Sequence, residues 1–211
     1  MTICDQAIAV FRPREGPCER PCSPRRACYP AGLSSTRQIR TLADALALMG
    51  EIGAPARLLR HAELVSEAAE SLLALLERER VALDAAWVRA GAALHDVGKI
   101  EHVGELSHPG AQHEPAGERL LLAHGVAPHV ARCCRSHAQW ATLECALEEL
   151  VVALADKLWK GARVPALEQR VIEAAAGRCA RSVWDLFVPL DNGFEAIADA
   201  GPARIARSRV A

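Results

Sequence analysis

The sequence predicts an all-α domain, and three observations carry that expectation. Hydrophobic residues make up 51% of the 211 positions while aromatics reach only 4%, so a core must be built from Leu, Ala and Val. Apolar residues recur at spacings of three and four from about residue 35 onward. No stretch has the strand pattern of alternating polar and apolar residues. The length fits one substantial core with appendages, and a formal net charge of −1 supplies no bulk field to gather nucleic acid. No apolar run approaches the roughly 18–20 residues that span a bilayer, and Asp5 interrupts the short hydrophobic start; the expected setting is cytoplasmic.

Residues 1–35 carry Pro13, Pro17, Pro21, Pro24 and Pro30 among scattered arginines, which forbids a helix and predicts a disordered leader. Its Cys4, Cys18, Cys22 and Cys28 lack the paired short-loop spacing of a zinc ribbon. Met49, the only methionine after Met1, is an alternative start. Residues 36–190 read as the helical domain and 191–211 as a C-terminal helix and tail. Within it, Ser35 or Thr36 caps a helix to about Met49, and Pro55 opens a long one over about 56–80 whose inner stripe is His61, Val65, Ala68, Leu72 and Leu76. Taken alone, His61 reads as a packed core histidine.

Asp84 caps a helix to about Val97, stopped by Gly98, and places His95 and Asp96 at its end. Adjacent helical residues point about 100° apart, so this pair converges only on something beyond the terminus, where the helix dipole favours a cation. The connection over 99–112 is long enough for a lid. Helices follow over about 113–124, with His113 facing inward, and after Pro128, with Val130, Cys134 and His137 in register. His102, His124 and His129 fall off the apolar stripes, and His108 lies in the loop. Residues 143–160 are apolar almost all round, and that central helix holds Asp156. Neighbouring positions on a helix do not face each other, which argues against Lys157 as its counter-charge. Two amphipathic stretches, about 166–187 and 193–200, then a basic tail from Arg204 expected to fray, complete the chain. Cys133, Cys134, Cys145 and Cys179 lie inside helical patterns and read as reduced, buried thiols.

His61, His113, His137 and Asp156, the four distant partners of the His95-Asp96 pair, thus fall on apolar faces, where an uncompensated polar group costs several kcal/mol, roughly 2–7. They must satisfy one another or share an ion. Nitrogen and oxygen donors without thiolate suit Fe, Mn or Co, with Zn less favoured and a calcium or magnesium cage least. Six donors exceed the need of one ion. If Asp96 bridges, two ions about 3.5–4 Å apart become possible, a pair that polarises a phosphoryl oxygen and acidifies water.

The ordered motifs Arg60-His61, His95-Asp96-Val97-Gly98-Lys99, His113-Glu114-Pro115-Ala116-Gly117, Ser136-His137 and Ala155-Asp156-Lys157-Leu158 resemble the HD-domain metal-dependent phosphohydrolases over about residues 55–165. The resemblance implies an HD-type helical bundle. It also implies one metal on His61, His95, Asp96 and Asp156, and a second on His113 and His137 with Asp96 shared. The compact spacing looks most like the symmetrical diadenosine tetraphosphate hydrolases. The cyclic di-GMP phosphodiesterase branch fits less well, because Ala138 stands where that branch has another histidine and its Gly-Tyr-Pro signature is absent.

Lys99, Lys157 and Lys160 are the only lysines, all near the His-Asp pair or Asp156. A compact ammonium suits substrate phosphate, which makes Asp96 and Lys99 the catalytic candidates, and Lys99, Lys160 and Arg163 the substrate-binding ones. The expected activity is hydrolysis of a nucleotide or related phosphate ester by metal-activated water. A catalytically silent nucleotide-binding module, a single-metal nucleotidase and a metal-handling bundle stand as alternatives.

Overall fold

A computed structural model describes residues 36–209; the leader 1–35, with Cys4, Cys18, Cys22 and Cys28, lies outside the described residues. Among these residues the architecture is all-α, with an isolated β-bridge between Arg37 and Val126. Helix α1 spans Leu42–Glu51 and starts five or six residues later than expected, because Thr41 and Asp44 form a reciprocal capping box. Its Ala45, Leu48 and Met49 are fully buried, so a chain begun at Met49 would lack part of the core. Helix α2, Ala56–Arg78, follows Pro55 at its N-cap and ends where Arg80 turns to a φ of 60°. Helix α3, Ala85–Leu94, is capped by the Asp84 carboxylate, which accepts from the Trp87 amide at 3.0 Å.

Two 3-10 turns, Val97–Ile100 and Val103–Leu106, then occupy the segment expected to be a lid. Helices α4, His113–Ala123, α5, Pro128–Ala131, and α6, Cys133–Gln139, lead to α7, Leu147–Leu158. Helix α7 begins four residues later than the apolar pattern suggested, since the Glu149 carboxylate turns back to accept from the Ala146 amide at 2.9 Å. It packs against α2, α3 and α6, which makes it the central element.

Helix α8, Pro165–Cys179, stops at Ala180, whose φ of 53° is left-handed. Helix α9, Val183–Asp199, runs through Pro189 and across residue 190, where the sequence pattern suggested a division. Burial of Leu186, Leu190, Phe194 and Ile197 outweighs the single amide that Pro189 lacks. The tail expected to fray is α10, Gly201–Ser208, with Arg204 buried and donating to the Ile197 carbonyl at 2.8 Å. Cys133 and Cys134 are buried free thiols as expected, while Cys145 and Cys179 are only half-buried.

Two apolar clusters fill the interior. One joins the rear of α2 to α7, α8 and α9, and the other lies beneath α1, α3, α4 and α5. His61 sits on α2 between Leu58 and Ala62 of the second cluster and Val65 of the first.

The turn after Asp96 depends on a close backbone approach. A Cβ on Gly98 would stand 2.0 Å from the His113 carbonyl oxygen and 2.5 Å from the Gly117 amide nitrogen, and backbone cannot yield. We expect Gly98→Ala to lower unfolding free energy by about 3 kcal/mol. Gly177, in the last turn of α8 with open space around it, should respond oppositely: Gly177→Ala raises stability by about 0.5 kcal/mol. Thermal or urea melts of the two variants measure both signs.

Candidate metal centre

Five helices deliver six polar donors to one place. His61 comes from the second turn of α2, His95 caps the end of α3, and Asp96 follows it. His113 is the first residue of α4, His137 lies in α6 and Asp156 near the end of α7. His95 and Asp96 are 1% and 4% exposed, so neither is compensated by bulk water.

Asp96 is the hub, and its two oxygens face different partners. Oδ2 lies 3.1 Å from His61 Nε2 and 3.7 Å from His95 Nε2; Oδ1 lies 3.2 Å from His113 Nε2 and 3.8 Å from His137 Nε2. Asp156 Oδ1 stands 3.6 Å from His95 Nε2 on the Oδ2 side. Donor atoms of His61, His95 and Asp156 fall within 4.8 Å of one another, as do those of His95, Asp96 and His137.

The surrounding backbone sets the imidazole tautomers. His95 Nδ1 lies 2.9 Å from the Ala92 carbonyl, His137 Nδ1 3.1 Å from the Cys133 carbonyl, and His113 Nδ1 2.5 Å from the Glu105 carboxylate. Carbonyl and carboxylate oxygens only accept, so the proton belongs on Nδ1 in each ring and a neutral ring turns a lone pair on Nε2 inward. Near as they are to Asp96, the buried Nε2 atoms of His61, His95 and His113 form no hydrogen bond. Lone pairs facing a carboxylate need positive charge between them. A divalent ion supplies it, and this donor set fits one.

Without an ion, protons partly meet that need. Burial disfavours the charged form of His95, but Asp96 and Asp156 outweigh it and raise its pKa; burial likewise opposes Asp96 and Glu105, which raise that of His113. Burial also opposes ionisation of Asp96 and Asp156. Imidazoles, led by His95, overcome it and hold both carboxyls well below the usual range. His137 goes the other way, pushed down to about 3 by burial and then by His95.

The cations are arranged differently from expectation. Lys99 Nζ donates to Asp96 Oδ2 at 2.5 Å, and Lys157 Nζ donates to Asp156 Oδ2 at 2.7 Å. The second pair corrects the helical-spacing argument: near the end of α7 the long lysine stem folds back to its neighbour. Arg163 is also a correction. Its guanidinium holds Glu168 at 2.8 and 2.9 Å and Asp191 at 2.5 Å, tying the loop after α7 to α8 and α9 away from the cavity. Lys160 does line the cavity. His108, His124 and His129 are exposed and His102 half-buried, none of them among the cavity-lining residues.

That cavity has a volume of about 730 Å³, with Asp96, His61, His113, His137 and Asp156 in its wall. Sequence reasoning missed Arg57, Leu58, Leu106, Trp159, Ser208 and Arg209, which also line it. Arg60 lines it too, and the His-motif quoted it without a role. Arg57 and Arg60 lie one helical turn apart on the His61 face, a spacing that could have been noticed. Trp159 packs edge-on against His61 at 5.0 Å between ring centres. Glu105 was also missed: besides His113 Nδ1 it accepts from the Gln112 and His113 amides, and no sequence spacing marks it.

No curated protein and no solved structure matches the chain. The family model described as HD domain matches residues 57–159, a segment that contains all six donors. The match runs from the front of α2 to the end of α7 and makes that segment similar to an HD domain.

Proposed function

We propose that the protein is a metal-dependent phosphohydrolase with two divalent ions, acting on a nucleotide or related phosphate ester or anhydride. HD domains are in general metal-binding hydrolases, which is the starting point. The observation that carries the finer reading is the division of labour at Asp96, whose Oδ2 faces His61 and His95 while Oδ1 faces His113 and His137. On this reading His61, His95, Asp96 and Asp156 hold one ion, and His113, His137 and Asp96 the other. Iron, manganese or cobalt suits such nitrogen and oxygen donors.

The ions would supply Lewis acidity to a phosphoryl oxygen and acidify an attacking water. The chain supplies the rest. Lys99 and Lys160 place positive charge beside the donors where phosphate would lie, and Asp156 is kept anionic by His95 and by the lysines near it. Trp159, Leu58 and Leu106 add apolar surface to the same cavity, which favours a base or sugar over a bare inorganic ester. A dinucleoside polyphosphate belongs among the first substrates to try. The free thiols Cys133 and Cys134 fit a reducing, cytoplasmic setting. No described helix is long and apolar enough to cross a membrane.

Metal analysis of the purified protein, followed by phosphate release from dinucleoside polyphosphates, mononucleotides and cyclic dinucleotides, tests the reading. Two equivalents of metal and turnover on one class are expected, with Asp96→Ala retaining the fold and losing about a thousandfold in kcat/KM. One equivalent with turnover would instead indicate a single-metal nucleotidase. Metal without turnover on any of them would make this a binding module.

Glu105 fixes the His113 tautomer through a carboxylate and should therefore tune the ion on that side. Glu105→Gln is expected to weaken metal affinity by about tenfold in a chelator competition. An equal loss at both ions would contradict the assignment of His113 to one side of Asp96.

A further inference from the structure

We propose that α10, which lies outside the HD segment, is a substrate-specificity element: it carries Arg209 to the cavity rim, where with Arg57 it holds a second anionic group remote from the reacting phosphate. The proposal rests on the phosphohydrolase reading only for which phosphate reacts.

The cavity is far larger than orthophosphate needs, and the six-donor cluster supplies only part of its wall. Arg57 from the first turn of α2, and Ser208 and Arg209 from the end of α10, line it as well. Arg57 donates to the Ser107 hydroxyl at 3.1 Å, and among the described residues neither Arg57 nor Arg209 has a carboxylate within 4.0 Å. Elsewhere the chain pairs its arginines freely, as in Arg37 with Glu51 and Arg89 with Glu70. Two guanidiniums without acids in the wall of one cavity are suited to bidentate recognition of phosphate or carboxylate.

Helix α10 is built to stay there. Arg207 grips Glu67 of α2 with two hydrogen bonds of 2.7 and 2.6 Å, and Arg60 Nε donates to the Arg207 carbonyl at 3.3 Å. At its start, a Cβ on Gly201 would stand 2.4 Å from the Gly161 amide nitrogen, so glycine lets the helix abut the backbone that follows Lys160. The Glu67–Arg207 clamp ties α10 to α2 two residues before Arg209 and uses none of the six donors, so loosening it should move Arg209 without altering the metal centre.

The test is calorimetric binding of inorganic phosphate and of tripolyphosphate to the metal-loaded protein. Arg209→Ala and Arg57→Ala should each weaken tripolyphosphate about tenfold and orthophosphate less than twofold. Glu67→Arg should reproduce the tripolyphosphate loss, and the exchanged pair Glu67→Arg with Arg207→Glu should recover it, a rescue that a general loss of fold would not show. Equal losses for the two anions, or no loss for tripolyphosphate, would overturn the proposal. Selective tripolyphosphate binding without hydrolysis of any nucleotide would leave it standing and remove the phosphohydrolase reading instead. Turnover that is indifferent to Arg209 and Arg57 on every polyphosphate substrate would do the reverse.

Discussion

The structure depends on one electrostatic constraint: two buried carboxylates and the Nε2 atoms of four imidazoles are packed together with too few protons between them. Carbonyl and carboxylate acceptors hold the proton of His95, His113 and His137 on Nδ1. Every one of those rings therefore turns an electron pair toward Asp96 when neutral. Such a cluster costs free energy in an apolar interior unless positive charge enters it. Lys99, which lines the cavity, and Lys157 provide some, and raised affinity of His95 and His113 for protons provides more. Removing either carboxylate would relieve the repulsion in the ion-free chain while abolishing the reason to bind a cation. Stability of the apo protein and affinity for metal thus pull in opposite directions at the same residues.

Much of this arrangement was legible in the sequence because each donor interrupts an apolar helical stripe. Periodicity identifies which face is inward, and a histidine or aspartate on that face needs a partner wherever the fold places it. All six donors so identified meet at one site, and the helices that carry them lie close to the expected positions. The errors at helix starts have a common cause. Thr41 with Asp44, and Glu149 with the Ala146 amide, fix α1 and α7 by hydrogen bonds of acidic side chains three residues inside the helix. Apolar content alone extends both helices too far.

The surroundings of the donors were less legible, for a different reason. Periodicity reports which way a side chain faces, not how far its stem reaches. Lys157 points off the Asp156 face yet closes on its carboxylate, and Arg163, close in sequence to Asp156, spends its guanidinium on Glu168 and Asp191. Glu105 sits in a segment without period, inside the second 3-10 turn, and still fixes His113. Helix α10 reads as a polar terminus because Arg204, Arg207 and Arg209 dominate it. Its burial comes from Gly201 against Gly161 and from the buried stem of Arg204, neither of which raises apolar content.

The formal charge of −1 shows how little a sum reveals about a site. Arg37, Arg89, Arg178 and Arg181 neutralise Glu51, Glu70, Glu148 and Glu79 at distances of 2.6 to 3.1 Å, and none of these residues lines the cavity. Because such pairs cancel, the field at the cavity mouth is set by the few cations that lack acids: Arg57, Lys160 and Arg209. Low-dielectric walls and inward-facing cations focus that field on whatever enters. A nearly neutral chain can therefore place unpaired cations and buried carboxylates in the wall of one cavity. An incoming polyanion is attracted at the rim but repelled by Asp96 and Asp156 at the floor unless cations intervene. On the proposed reading, Arg57 and Arg209 and the metal centre would select for the same chemistry within one cavity, and neither would be sufficient for it alone.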